Sequence, residues 1–285
     1  MIQNTPIKLT PDEFESILAI LKSRTGIVPR ASHREGIKSY IESRIAARNL
    51  TVQGYKNSIL SDDVFFTEFV NESTVNETYF FREEKQFMLL RDRIFPMWRS
   101  MFGTSRIKIW SAACSYGEEA YSLALLAKYC GLNVSVTASD INSIVLRHCE
   151  KASFLPSSVR SVDGVIFQPL LSPYKKDDGT IEFDDEIKGC IRTQKLNLSL
   201  IDSPACSTLL PRNQNIIFLR NVFIYFSPEL RARILKTLAE KCLAAGGILF
   251  VSISEIAQLD SDIIPPSLEK VFDGNVFYFH KKEVI

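Results

Sequence analysis

From residue 107 onward the chain alternates short apolar runs with amphipathic segments, and this alternation restricts the fold more than any other feature of the sequence. The runs at 107–110, 134–139, 215–219, 248–252 and 276–280 have the length of buried strands, and helices are expected at 117–130, 142–151 and 228–244. Strands separated by helices assemble into an open α/β sheet. The last of these helices has clear boundary signals: Ser227 as N-cap, Pro228 in its first position, and Gly246-Gly247 to end it before the next strand. Between about 170 and 194 the pattern changes. There YKKDDGTIEF and EIKGCIRTQ suggest two or three short strands around Asp178-Gly179, a small β insertion in the sheet domain.

Ahead of the sheet, residues 10–70 show helical periodicity and no strand. Thr10 and Pro11 open an amphipathic run (Phe14, Ile17, Leu18, Leu21), a second run carries Ile37, Tyr40, Ile41 and Ile45, and a further helical stretch is expected around 83–101. The chain thus divides into a helical unit over 1–75 and an α/β unit over 76–285. At 285 residues and 46% hydrophobic it has material for one large core. A net charge of +1 gives no general attraction to nucleic acid or to an anionic membrane, so a charged partner needs a local patch. One patch stands out. Lys22, Arg24, Arg30, Arg34, Lys38, Arg44 and Arg48 face only Glu35 and Glu42 over the same stretch, which reads as a solvated helix face or as a surface for an acidic partner. No run is long and apolar enough to span a membrane, and the N-terminal segment lacks a basic region followed by an apolar core. A cytoplasmic monomer is expected. The six cysteines form no CxxC pair and the three histidines no zinc-ligand spacing, so reduced, mostly buried thiols and no metal are expected.

In open α/β sheets ligands bind beyond the carboxyl ends of the strands, which directs attention to three junctions. After the first strand, Ser111-Ala-Ala-Cys-Ser-Tyr-Gly117 is a run of mostly small residues that lets a ligand approach the backbone. It has neither the three glycines of a dinucleotide fingerprint nor a P-loop Lys-Ser/Thr. Ser115 and Glu118 match a capping box, which accounts for Glu118 and leaves Glu119 as a ligand candidate. The second strand ends at Asp140, 23 residues past Gly117, close to the spacing at which a carboxylate takes ribose hydroxyls; an N-cap role for the following helix is the alternative. The third junction is Arg220-Asn221, two polar residues interrupting an apolar stretch, which implies a ligand or a dedicated hydrogen-bond network. A ribose carboxylate with a small-residue loop and no phosphate cradle fits S-adenosylmethionine better than NAD or ATP.

Five ordered motifs then carry a resemblance: Asn76-Glu-Thr-Tyr-Phe-Phe-Arg82, Trp110-Ser-Ala-Ala-Cys-Ser-Tyr-Gly-Glu-Glu-Ala-Tyr-Ser122, Ala138-Ser-Asp-Ile141, Leu196-Asn-Leu198 and Arg220-Asn-Val-Phe-Ile-Tyr-Phe226, with a final Ser254-Glu255. Over nearly its whole length the sequence resembles the protein-glutamate O-methyltransferases of bacterial chemotaxis, the CheR type. The resemblance implies a helical N-terminal domain, a Rossmann-like domain binding S-adenosylmethionine, and a small β subdomain where the 170–194 insertion falls. It implies that Asn76, Thr78, Arg82, Glu119, Asp140, Asn197, Leu198, Asn221 and Val222 contact the cofactor, and that Arg82 and Tyr225 face the substrate. It also implies that Lys38, Arg44, Arg48 and the β insertion meet chemoreceptor helices. The sequence departs from the family pattern at Ala113, Tyr116, Ala120, Asn215 and Leu219, none of which is a cofactor residue named above. Two other functions compete: a degenerate fold that binds the cofactor without transfer, and a methyltransferase for a different acceptor.

Overall fold

Four helices make up the N-terminal helical unit: α1 (Pro11–Thr25), α2 (Ala31–Ala47), α3 (Val52–Ser61) and α4 (Asp63–Ser73). The structure is a computed structural model and describes residues 7–283, so the first six residues of the segment searched for a leader lie outside it. The sequence signals at the start of α1 are used as expected. Thr10 and Glu13 form a reciprocal capping box, Pro11 takes the first position, and Gly26 ends the helix at φ 71°. The buried faces are those of the periodicity, Phe14, Ile17, Leu18 and Leu21 on α1 and Ile37, Ile41 and Ile45 on α2. These side chains share one continuous apolar cluster with Trp110, Ile217, Leu219 and Ile234. The helical unit is therefore fused to the α/β unit by core packing.

A linker leads into α5 (Glu84–Leu89), which passes through a π-type turn at Leu90–Ile94 into α6 (Phe95–Phe102). The main sheet follows, with strands β1 (Ile107–Ala112), β2 (Val134–Asp140), β5 (Ile191–Lys195), β6 (Gln214–Phe218), β7 (Leu243–Phe250), β8 (Leu268–Asp273) and β9 (Val276–Lys281) in the order β5-β2-β1-β6-β7-β9-β8. The first five strands of that order run parallel and the β9–β8 hairpin joins antiparallel. Helices α7 (Glu118–Tyr129) and α8 (Ser143–Lys151) follow β1 and β2, and α12 (Pro228–Thr237) precedes β7. The strand order reverses between β1 and β6, and the crevice of such a sheet opens at that point.

Three expectations need correction. The helix from Pro228 ends at Thr237 with one π-type turn, and Gly246-Gly247 lies inside β7. There Gly246 takes φ 67° and the β6–β7 register shifts, so the pair makes a bulge; a Cβ on Gly247 would lie 2.9 Å from the Ala244 carbonyl oxygen. The insertion also differs from 170–194. Its sheet pairs β3 (Ser153–Phe154) with β4 (Ile181–Glu182), short helices α9 (Gln168–Leu171) and α10 (Asp185–Lys188) flank β4, and residues 191–195 belong to the main sheet beside β2. An aromatic cluster of Phe80, Tyr121, Phe154, Tyr174 and Phe183 fastens this insertion to α7 and the linker. The edge hairpin strand β8 was not legible, since LEKVFD alternates weakly and buries one side chain fully. Last, α11 (Pro204–Ser207) lies between β5 and β6.

Gly117 begins α7 at φ 106°, with Cys149 Sγ 2.5 Å and Cys149 Cβ 3.0 Å from where a side chain would start. Gly274, in the β8–β9 turn, has φ 58° and open space around it. Gly274→Ala is expected to cost about 1–2 kcal/mol for left-handed backbone alone. Gly117→Ala adds overpacking of about 1–3 kcal/mol to the same backbone cost. Equal losses in chemical denaturation would show that the α7–α8 contact yields more easily than this packing implies.

Candidate functional site

The carboxyl ends of β1, β2, β5 and β6, the linker before α5 and the end of α1 enclose a cavity with about 980 Å³ of space that opens to solvent. Asn76, Thr78, Arg82, Glu119, Asp140, Asn197, Leu198, Asn221, Val222 and Tyr225 all line it. Every residue singled out from the sequence as a cofactor or substrate contact is thus brought to one place, from five segments of the chain.

Asp140 sits at the end of β2, buried, with one oxygen accepting from the Ser115 N–H and the other from the Asn142 N–H, both at 2.9 Å. The cap of α8 is Asn142, whose side chain accepts from Ile144 and Val145, so Asp140 is not spent as a helix cap. Burial pushes the Asp140 carboxyl above its ordinary range, against the pull of the backbone N–H groups. Each oxygen keeps a lone pair for a hydroxyl donor.

Glu118 and Glu119 exchange the expected explanations. No side chain caps α7, whose N-cap is Gly117, and Ser115 donates its hydroxyl to the Asn76 carbonyl. Ser115 itself lies in the left-handed region at φ 52°, which removes its hydroxyl from the capping position. Glu118 turns inward, accepts from Ser158 Oγ at 2.8 Å and has its other oxygen unpartnered. Burial raises its carboxyl, opposed by the Ser158 and Thr78 hydroxyls. Glu119 does have a structural partner: one oxygen accepts from Arg220 Nε at 2.8 Å and the other from Ser111 Oγ at 2.6 Å. Arg220 also donates to the Arg82 carbonyl at 2.7 Å and to Gln86 Oε1 at 3.2 Å. Arg220 thus sits in a hydrogen-bond network of the kind its out-of-place polarity implied, and it also lines the cavity.

Asn197 caps the turn at Leu198–Leu200 and donates to the Arg24 carbonyl at 2.9 Å, so its amide ties the two units together. Asn221 has φ 57°; its N–H goes to Glu255 Oε2 at 2.8 Å and its amide to Ser252 Oγ at 3.0 Å. Glu255 is buried and its carboxyl is pushed up by that burial, with the Asn221 and Ser252 N–H groups pulling it back. Arg82 donates to the Glu77 carbonyl at 2.7 Å and does not pair with Glu83 or Glu84. Tyr79 is half-buried, whereas Phe80 and Phe81 are core residues as expected.

Sequence reasoning missed the strap after α1. Thr25 and Ile27 line the cavity, and the Val28 N–H donates to the Tyr225 carbonyl at 3.0 Å. Gly26 was the available signal: a Cβ there would lie 2.3 Å from Leu230 Cδ2 and 3.3 Å from Ser199 Cβ. Apolar walls come from Ile27, Ile141, Leu196, Leu198 and Val222. Walls of that kind suit a planar base, and the buried Asp140 suits ribose hydroxyls.

Residues 76–265 match the family described as CheR methyltransferase, SAM binding domain. The chain is 31% identical over 276 residues to chemotaxis protein methyltransferase 1 of Vibrio cholerae, covering 88% of this chain and 91% of that protein. The chain belongs to the CheR methyltransferase family. The Klebsiella aerogenes chemotaxis protein methyltransferase is 31% identical over 92% of this chain and 89% of its own length. The Escherichia coli protein of the same name is 30% identical over 87% of this chain and 86% of its own. This CheR protein is an S-adenosylmethionine-dependent methyltransferase. Among the described residues no helix is long and apolar enough to cross a membrane, and no three His, Cys, Asp or Glu side chains are grouped to hold a metal ion.

Glu118 gives a stability test. Its folded-state carboxyl is raised, so the native chain holds that proton more tightly than the unfolded chain. Stability from this group is complete below the unfolded value of about 4.3 and is lost as pH rises through the folded value. Glu118→Gln is expected to be more stable than wild type at neutral pH by on the order of 1 kcal/mol, with the advantage vanishing toward pH 4. An advantage independent of pH would contradict a buried, destabilised charge at this position.

Proposed function

We propose that this CheR protein methylates glutamate side chains on the cytoplasmic helices of chemoreceptors, forming glutamate methyl esters and S-adenosylhomocysteine in chemotactic adaptation. One observation carries the reading. The Arg82 guanidinium has no carboxylate partner and the Tyr225 hydroxyl no protein acceptor among the described residues, and both line the cavity that contains Asp140. Burial pushes the Tyr225 phenol up, against the opposing pull of Arg30 and Arg82, so at neutral pH it is a neutral O–H donor. A cation and a hydroxyl donor suit an acceptor that already carries negative charge.

A glutamate side chain ionises near ~4.3, so it needs no general base at neutral pH, and no histidine lines the cavity. S-adenosylmethionine, when bound, supplies a methyl on a sulfonium sulfur; the carboxylate oxygen forms the C–O bond as the C–S bond breaks and its electron pair stays on sulfur. Arg82 and Tyr225 hold the carboxylate for in-line approach, and no proton moves. Because the ester is neutral, tight binding of the ionised oxygen by Arg82 would be lost toward the transition state, so orientation is its larger contribution. Asp140 holds the ribose, Glu119 with Asn76 and Thr78 bounds the amino-acid end, and Asn197, Leu198, Asn221 and Val222 border the adenine.

Receptor contact fits α2 unevenly. Arg44 and Arg48 both pair with Glu68, with Arg48 lying over Phe65, whereas Lys38 makes no ion pair among the described residues. Lys38 is therefore the first of the three to meet a receptor carboxylate, and the two arginines must exchange Glu68 for one. The insertion is a second receptor contact. This reading places the protein in the cytoplasm as a monomer.

Incubation with labelled S-adenosylmethionine and receptor cytoplasmic fragments from the same genome is expected to give label that mild base releases as methanol. Base-stable label would redirect the activity to a different acceptor atom, and cofactor binding without any transfer would favour the degenerate module. Tyr225→Phe is expected to lower kcat roughly tenfold or more, as for a lost hydrogen bond to a charged group, with KM for S-adenosylmethionine within about twofold. Full activity in that variant would remove Tyr225 from the acceptor site.

A further inference from the structure

Arg82 is one of two guanidinium groups on the same aromatic ring. Its Cζ lies 5.6 Å from the centroid of Tyr79, and the Cζ of Arg160 lies 5.2 Å from that centroid. No more than about 11 Å therefore separates the two cations. Arg160 is exposed, belongs to the insertion between β3 and β4, and has no carboxylate within ion-pair distance among the described residues. An exposed arginine stacked on an aromatic ring, with its five donors unused by protein carboxylates, is a preorganised site for an oxyanion.

The loop that carries Arg160 is fixed with respect to Arg82. Asp163 accepts from the Tyr79 hydroxyl at 3.0 Å and from the Glu83 and Glu84 N–H groups at 2.7 and 3.0 Å. Gly164 N–H donates to Glu84 Oε2 at 3.0 Å, and a Cβ on Gly164 would lie 2.7 Å from the Phe80 carbonyl oxygen. The Arg160 carbonyl accepts from Gln168 Nε2 at 2.8 Å. Loop and linker therefore form one clamped unit around Tyr79. Its architecture goes beyond what closing the cofactor cavity requires, because Arg160 and Asp163 do not line that cavity.

We propose that Arg160 is a second anion-recognition group of the acceptor site, binding a carboxylate of the substrate helix other than the one that is methylated. The inference rests on the reading of the acceptor as a glutamate on a receptor helix. A helix rises 1.5 Å per residue, so carboxylates three or four residues apart on one face are about 5–6 Å apart and those seven residues apart about 10.5 Å. Each lies within the upper limit of about 11 Å on the separation of Arg82 and Arg160. Selection would then favour a glutamate with a carboxylate one or two helical turns away, and the insertion gains a role in choosing the acceptor.

The test is a double-mutant cycle on methyl transfer by the full-length protein. Receptor cytoplasmic fragments with neighbouring carboxylates neutralised singly, at three, four and seven residues from the methylated glutamate, are assayed with wild type, Arg160→Ala and Arg160→Lys. Neutralising the correct neighbour is expected to lower wild-type kcat/KM roughly two- to fivefold, as for an exposed ion pair, and to have no further effect in Arg160→Ala. Arg160→Lys should retain the coupling, and the coupling should weaken as salt is raised. The KM for S-adenosylmethionine should be the same in all three proteins, which a merely structural role would not preserve. Additive losses at every position, or an Arg160→Ala protein with unchanged kcat/KM, would overturn the proposal while leaving the acceptor reading intact. Wild-type protein that transfers no base-labile methyl to any fragment would overturn the acceptor reading itself.

Discussion

The Arg220 guanidinium is buried with 2% of its side chain exposed, and the site is arranged around satisfying it. An isolated charge at that depth would be prohibitively costly, so its partners are obligatory. Glu119 supplies the counter-charge from α7, the Arg82 carbonyl comes from the linker, and Gln86 from α5. One side chain at the end of β6 thereby draws in the loop after β1 and the segment that carries Arg82 and Thr78. Truncating Arg220 would leave the half-buried Glu119 without its counter-charge, which explains why an ion pair of little net stabilisation is still a strong constraint on geometry.

A second regularity follows the same logic. Phe81, Glu83, Ser115 and Asn221 all lie at positive φ, and each has its N–H held by a side-chain oxygen: Ser122, Asp163, Asp140 and Glu255 respectively. Left-handed backbone in such residues costs about 1–2 kcal/mol each and persists only where the surroundings fix it. The carboxylates that fix it are themselves destabilised by burial at Asp140 and Glu255. Binding geometry at the crevice is thus maintained at the expense of stability, with the wide apolar core on both sheet faces supplying the offset.

Much of this was legible in the sequence because it is local. Strand runs, the Thr10 and Ser227 caps and the helical faces depend on periodicity and on backbone groups within a few residues. Asp140 was legible from its spacing, and Arg220 from polarity out of place. What was not legible depends on distant partners. Glu118 looked like a cap because Ser115 stood at the right spacing, but the left-handed Ser115 points its hydroxyl at Asn76, 39 residues away. Glu119 found Arg220, 101 residues away. The bulge at Gly246-Gly247 carried the same letters as a helix stop, and strand 191–195 read as part of the insertion because its place beside β2 is set by tertiary pairing. The motif resemblance supplied Asn76, Thr78, Asn197 and Val222, which no spacing rule would have singled out.

The central claim is that these dispersed residues make one S-adenosylmethionine cavity with Asp140 as its polar anchor. Calorimetric titration of S-adenosylhomocysteine into wild type and Asp140→Ala tests it most directly. Saturable one-site binding to wild type, weakened at least tenfold in a folded Asp140→Ala protein, is the predicted result. Equal affinity in the two proteins, or no binding to folded wild type, would contradict the account.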